Sequence, residues 1–222
     1  MNATCKPKFD TLDALEAELH EMGSHSQEYW DKQVHTVPAS RTLEREKFVV
    51  QQCTGKIVLH VGCTGPLDEA MRKAAKRCYG IDRQPSARPD YVAIDLDAYH
   101  EYNTLPACDG EPPELIVCGE VLEHLSNPGH FLVAMQRAYP TQPVIFTVPN
   151  AFSLGGQEWL VKRGRENVNK DHVCYYSFTT LKELLRRAGY AISEHYWYGG
   201  RPYVSEGLII VARPRAETSA RE

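Results

Sequence analysis

Residues 56–65 read KIVLHVGCTG, and the organisation of the whole chain can be built outward from that stretch. KIVLHV (56–61) is a short apolar run rich in β-branched residues, the composition of a buried strand. It ends at Gly62, and Pro66–Arg77 then reads as a helix with Pro66 suited to its first turn. The same alternation continues downstream. CYGID (78–82) and YVAIDL (91–96) read as strands, and Pro112 and Pro113 break the chain before the strand ELIVC (114–118). Phe131, Leu132, Met135 and Tyr139 share one helical face behind Ser126 as N-cap, and PVIFTV (143–148) is the next strand. Thr180–Glu183 matches a capping box and opens a helix that Gly189 stops. YAISEHYWY (190–198) and VSEGLIIVA (204–212), separated by GGRP, read as a hairpin.

Strands alternating with helices predict an α/β, doubly wound sheet with helices on both faces, mixed at one edge because the hairpin strands are antiparallel. Residues 55–213 form this domain. Residues 1–54 are a helical extension, with an amphipathic helix over 10–22 (Leu12, Leu15, Leu19, Met22) and a second from Thr42 to Gln52. Residues 214–222 are a polar tail expected to be disordered. The connection 150–176 is long enough to be read as a substrate lid.

Composition bounds the function. At 222 residues and 42% hydrophobic, the chain can bury one sizeable core. Its net charge of −4 gives no general attraction to nucleic acid or anionic membrane. There is no apolar run of the roughly 20 residues a membrane span needs, and the acidic N-terminal stretch lacks a signal-peptide core. A cytoplasmic protein with neither DNA nor membrane partner is expected. Seven cysteines without a C-x-x-C pair read as buried, reduced thiols.

In an open α/β sheet, ligands bind beyond the carboxyl ends of the strands, where strand order reverses. At the end of the first strand HVGCTGP is a tight turn with Gly62 and Gly65, letting backbone approach a ligand, and the helix start favours an anionic group. It fails as a G-x-G-x-x-G dinucleotide fingerprint, because Thr64 and Leu67 hold the second and third glycine positions. Asp82 ends the second strand, where a carboxylate can accept both hydroxyls of a ribose. Asp95 ends the third, with Asp97 as the alternative acid for an adenine amino group.

The order VLHVGCTG, YGID, AIDLD, LIVCGEVLEHLSNPGHFL, VIFTVPN resembles the class I S-adenosylmethionine-dependent methyltransferases over about residues 55–212. The nearest group carries an EVLEHL fourth motif and methylates small molecules, sugars, quinones and some RNA ends. The resemblance implies a seven-stranded Rossmann-like sheet of order 3-2-1-4-5-7-6 with the last strand antiparallel. It implies cofactor contacts from His60, Gly62, Cys63 and Gly65 in the first turn. Asp82 and Arg83 would lie at the ribose, Asp95 and Leu96 at the adenine, and Gly119 and Glu120 at the methionyl end. The chain departs from the family where His60 replaces the usual acid and where Thr64 and Pro66 thin the glycine pattern.

Methyl transfer from a sulfonium needs alignment, worth up to roughly 7–11 kcal/mol, and for an oxygen nucleophile a base worth about 10²–10⁴-fold. The candidate catalytic residues are His124, His172 and Asp171. Glu123 and His124 either face substrate or orient the loop after them; Asp171 and His172 either act or pin theirs. The pattern E-x-x-E-H followed by PN and DH resembles metal-dependent RNA 3′-terminal 2′-O-methyltransferases. That likeness implies Mg²⁺ or Mn²⁺ held by Glu120, Glu123, His124 and His172, although EVLEHL is also common in relatives without metal. Tyr196, Trp197, Tyr198 and Tyr203 are core residues or, with Phe152 and Trp159, wall the acceptor pocket.

The expected activity is O-methylation of a small hydroxylated or sugar-like acceptor by a chain that could pair as a homodimer, with no RNA partner. The alternatives are a metal-dependent RNA 3′-end 2′-O-methyltransferase and a catalytically silent adenosyl-binding module.

Overall fold

The computed structural model describes residues 35–97 and 111–215. The helix expected over 10–22 and the tail from residue 216 lie outside them. The compact unit that carries the sheet runs from Ala39 to Glu222. In order it contains α1 (Arg45–Cys53), β1 (Ile57–Val61), α2 (Gly65–Ala74), β2 (Arg77–Asp82) and β3 (Tyr91–Ala93). Then follow β4 (Leu115–Gly119), a 3₁₀ turn (Leu122–His124), α3 (Pro128–Ala138), β5 (Val144–Pro149), α4 (Leu154–Arg163), α5 (Phe178–Arg187), β6 (Tyr190–Tyr198) and β7 (Gly207–Pro214).

The seven strands form one sheet of order β3-β2-β1-β4-β5-β7-β6. The first five run parallel, with Val58 opposite Cys78 on one side and Leu115 on the other. β7 is antiparallel to both β5 and β6, as the hairpin reading requires. Strands covered on both faces should read as continuous apolar runs, and every residue of β1 is buried. One face gathers Val58, Val117, Ile145 and Ile209 with Val49 and Cys53 of α1 and Met71 of α2 into a single cluster. The alternate positions Leu59, Ile116 and Phe146 point the other way and are equally buried. Helix α1, placed by sequence in the N-terminal extension, therefore packs as part of the sheet domain.

Three local expectations are corrected. The third strand stops at Ala93, which puts Asp95 and Leu96 in the following loop. Helix α3 starts at Pro128 behind Asn127, and the Ser126 side chain makes no cap. The Ser126 and Asn127 amides, just ahead of the helix, donate to Asp97 Oδ1 at 2.7 and 3.4 Å, so a distant carboxylate ties down the chain as it enters α3. Helix α5 is capped by a reciprocal Ser177–Thr180 box one turn earlier than the Thr180–Glu183 pattern suggested. Glu183 is taken by Arg186 and Arg187 on the exposed face.

The segment 150–176, read from sequence as a long connection, contains helix α4. Ser153 Oγ accepts from the Gly156 amide at its start, and Gly164 closes it in the left-handed conformation. None of its residues is buried. The apolar period that would have announced it is missing because no core face exists to select one. Among the described residues, Cys53, Cys63, Cys78, Cys118 and Cys174 are free thiols. No described helix is long and apolar enough to cross a membrane.

Candidate active site

The strand order reverses between β1 and β4, and a cleft of about 260 Å³ opens beyond their carboxyl ends. Gly62 and Asp82 border the same space, with Arg83, Asp95, Leu96, Glu120 and His124 around it. Gly62 has φ +75°, and a Cβ there would sit 2.3 Å from Val121 Cγ2. Only glycine fits this turn, because φ is positive and Val121 fills the place a side chain would take. Gly65 is needed for its backbone alone: φ is +73° and nothing lies near its missing side chain.

The acids at the strand ends divide by their partners. Asp82 accepts only a local bond, from the Gln84 amide at 3.0 Å, leaving the carboxylate at the cleft. Asp95 accepts from the Asp97 amide. Asp97 lines the same cleft, with its Oδ1 engaged by the Ser126 and Asn127 amides, so both acids border the space. Other expected contacts fall outside the lining. His60 is 2% exposed and bonded through Nδ1 to Asp68, away from the cleft. The Cys63 thiol is buried against Gly80, and burial pushes it up to about 12, so the contact expected of this residue is one of its backbone. Gly119 sits below the cleft, with Thr147 Oγ1 occupying the space its side chain would need.

Glu120 has φ +53°, a left-handed conformation that few non-glycine residues adopt. Its carboxylate accepts from Thr147 Oγ1 and Tyr198 OH, both at 2.9 Å, and lies 3.3 Å from Arg45 Nη1. Sequence reading missed Arg45 and Thr147, which come from α1 and β5, far apart in the chain, and named Tyr198 of β6 only as core or pocket wall. Tyr198 thus serves the site, whereas Trp197 is core and Tyr196 stacks on Phe48.

The 3₁₀ turn after β4 meets the end of the 150–176 segment. Amides of Val173 and Cys174 donate to the Glu123 carbonyl, and Tyr176 OH donates to the Leu122 carbonyl. These bonds bring Glu123, His124 and His172 together, with one donor atom from each within 4.8 Å of the others. The His124 and His172 rings meet edge to face at 4.6 Å. His124 Nδ1 pairs with the Asp171 carbonyl at 3.1 Å, which leaves Nε2 as its outward atom. Asp171 thus meets His124 through its backbone carbonyl, while its carboxylate charge acts on His172.

Both Glu123 oxygens and His172 Nδ1 are buried with no hydrogen-bond partner among the described residues. Burial, then the neighbouring Glu120 charge, raises the Glu123 carboxyl to about 8. Burial, then His124, lowers the His172 pKa. Unpartnered buried polar atoms cost about 1–3 kcal/mol each unless something meets them. A hard divalent cation is the group that carboxylate oxygen and imidazole nitrogen would meet together. Glu120, turned toward Arg45 and Tyr198, lies outside the three-residue cluster.

Sheet order, glycine turn and acid-lined cleft together define an adenosyl-binding Rossmann-like domain. The family described as Methyltransferase domain matches residues 22–195, and the chain belongs to it. It is an S-adenosylmethionine-dependent methyltransferase. Two curated relatives are named Ubiquinone biosynthesis O-methyltransferase. The one from Methylococcus capsulatus is 28% identical over 65% of this chain and 69% of its own length. That from Pasteurella multocida is 30% identical over 58% of this chain and 62% of its own length. Among solved structures, magnesium protoporphyrin IX methyltransferase from Synechocystis with bound S-adenosylhomocysteine matches 78% of this chain and 82% of its own. Its TM-score is 0.53 at 16% identity, a likeness of fold.

Proposed function

We propose that this methyltransferase acts on a hydroxyl of a small acceptor, with a divalent cation held by Glu123, His124 and His172 at the acceptor side. The observation that carries the reading is the buried cluster of unpartnered Glu123 and His172 atoms beside the cleft. The names of the two curated relatives support oxygen as the methylated atom. The lid supports an acceptor with an apolar body rather than a sugar. It exposes Phe152, Leu154, Leu160 and Val161, the last 85% exposed.

When bound, S-adenosylmethionine supplies the activated methyl carbon, and Mg²⁺ or Mn²⁺ would lower the pKa of an acceptor hydroxyl. The chain does the rest. Asp82 receives the ribose hydroxyls, Asp95 faces the adenine, and the Gly62 turn admits the methionyl part. The bond from His124 Nδ1 to the Asp171 carbonyl fixes that ring. The ties of Val173, Cys174 and Tyr176 to the 3₁₀ turn hold the lid end over the acceptor side and exclude water. Without metal, neutral His172 is the residue placed to take the acceptor proton.

The RNA 3′-end reading shares this donor set, but two of the four basic residues of the lid face its own side chains. Lys162 pairs with Glu158, and Arg163 lies over the Trp159 ring. The silent-module reading rested partly on His60, whose bond to Asp68 accounts for it without loss of the cleft.

The deciding assay strips the protein with chelator and adds Mn²⁺, following transfer of a labelled methyl group to a panel of phenolic acceptors. Turnover should return with Mn²⁺ on free phenols and not on their O-methylated forms. Full turnover in excess chelator would remove the metal from the reading, and transfer to amines alone would remove the oxygen acceptor.

A further inference from the structure

A run of hydrogen-bonded polar side chains lies outside the lining of the cleft. His60 on β1, Asp68 on α2 and Arg88 in the segment between β2 and β3 are joined end to end. Asp68 Oδ1 meets His60 Nδ1 at 2.9 Å and Oδ2 meets Arg88 Nη1 at 2.5 Å. Arg88 continues to Asp90 Oδ1 at 3.1 Å and to the Cys78 carbonyl at 3.3 Å. His60 and Asp68 are 2% and 7% exposed. Burial works against the Asp68 charge, but the His60 bond and the His60 and Arg88 charges outweigh it and hold its pKa below the ordinary value.

Stability alone is a poor account of this network. Replacing a buried ion chain with apolar groups of similar volume is often neutral or stabilising. Position in the fold is more telling. His60 stands two residues before Gly62, and Asp68 lies in the first turn of the helix that Gly65 opens. Arg88 belongs to the segment that follows Asp82, and the Asp90 carbonyl next to it accepts from Gly80 of β2. The network therefore joins the two banks of the cleft from beneath: the glycine turn on one side and the Asp82 side on the other.

We propose that Asp68 is a positioning residue for the cofactor. By gripping His60 and Arg88 at once, it sets the separation between the Gly62 turn and Asp82 that an extended adenosyl-methionine must span. The inference depends on neither the metal nor the acceptor. It departs from an acid at position 60, because here the acid stands on the helix and the strand supplies its partner.

The test compares a ligand that spans both banks with one that occupies a single bank. Binding of S-adenosylhomocysteine and of 5′-methylthioadenosine, which lacks the amino-acid end, is measured by isothermal titration on wild type and Asp68→Asn. Measurements are made well below the melting temperature of both. The spanning ligand should weaken by about tenfold or more, equivalent to 1.4 kcal/mol, and the truncated one by less than about threefold. Asp68→Glu should recover part of the loss. Equal weakening of both ligands, or none in either, overturns the proposal. Arg88→Lys keeps the charge on a partly exposed side chain and repeats the comparison should Asp68→Asn fail to fold. Loss of melting temperature with the ratio of the two affinities unchanged is the result expected of a purely structural network, and it would refute positioning.

Discussion

Replacing Glu123 with glutamine tests the site at the point where its electrostatics are most costly. Glu123 is 1% exposed, neither oxygen has a partner, and the carboxyl is raised to about 8. Unfolded, the same group titrates near 4.5. Between those values the native protein holds a proton that the unfolded chain has lost, so its stability falls as pH rises through that window. The interval of 8 − 4.5 = 3.5 pH units, at 1.36 kcal/mol each, sets a ceiling of roughly 5 kcal/mol. Glu123→Gln keeps the shape and cannot ionise, so the difference between wild type and variant isolates this one group. Urea unfolding in chelator from pH 5 to 9 should show wild type losing stability relative to the variant across the window. At pH 8, Mn²⁺ should restore wild type by about 2.7 kcal/mol at a hundredfold excess over its Kd and leave the variant unmoved. Parallel pH profiles in chelator would refute the unpartnered buried acid, and an absent Mn²⁺ effect would refute the ligand assignment.

Three further outcomes are expected. His172→Asn should abolish Mn²⁺ stabilisation while changing S-adenosylmethionine affinity by no more than about twofold. Because the folded pKa of His172 lies below 6.5, stability is lost as pH falls below 6.5, and urea unfolding of the variant should show a smaller loss on that acid side. Gly62→Ala forces a positive φ on a side chain 2.3 Å from Val121, costing about 1–3 kcal/mol in thermal unfolding. It should also abolish cofactor binding in isothermal titration. Asp82→Ala removes a carboxylate whose one partner is the Gln84 amide, so stability should stay within about 0.5 kcal/mol. Cofactor affinity should fall roughly 10–150-fold, the worth of a charged hydrogen bond.

Much of the fold was legible because its cause is local. The runs at 57–61, 115–119 and 144–148 are almost continuously apolar, broken only by His60 and Thr147, since both faces of a central parallel strand are covered, and each was located to within a residue or two. The β6–β7 hairpin followed from two β-rich runs separated by glycines. Helix α4 was not legible, since a helix with no buried face leaves no period to read. Its signals were Ser153 before it and Gly164 after it. The start of α3 was misplaced by one residue: Asn127 is the N-cap, and Ser126 is held through its amide by Asp97, far along the chain.

At the site, residue types were visible and partnerships were not. Gly62, Asp82 and Asp95 could be selected from sequence because a turn, a strand end and the loop just past another strand impose their own requirements. The sequence by itself thus determined the sheet, the glycine turn and the acids at its carboxyl edge, all products of short-range pattern. Only the tertiary structure decided that His60 belongs to Asp68, that Asp171 contributes its carbonyl, and that Glu120 is held by Arg45, Thr147 and Tyr198. It also decided that Glu123 and His172 meet as buried atoms without partners. Whether a buried polar atom is satisfied depends on what packs around it, and those neighbours arrive from strands and loops with no mark in the surrounding sequence.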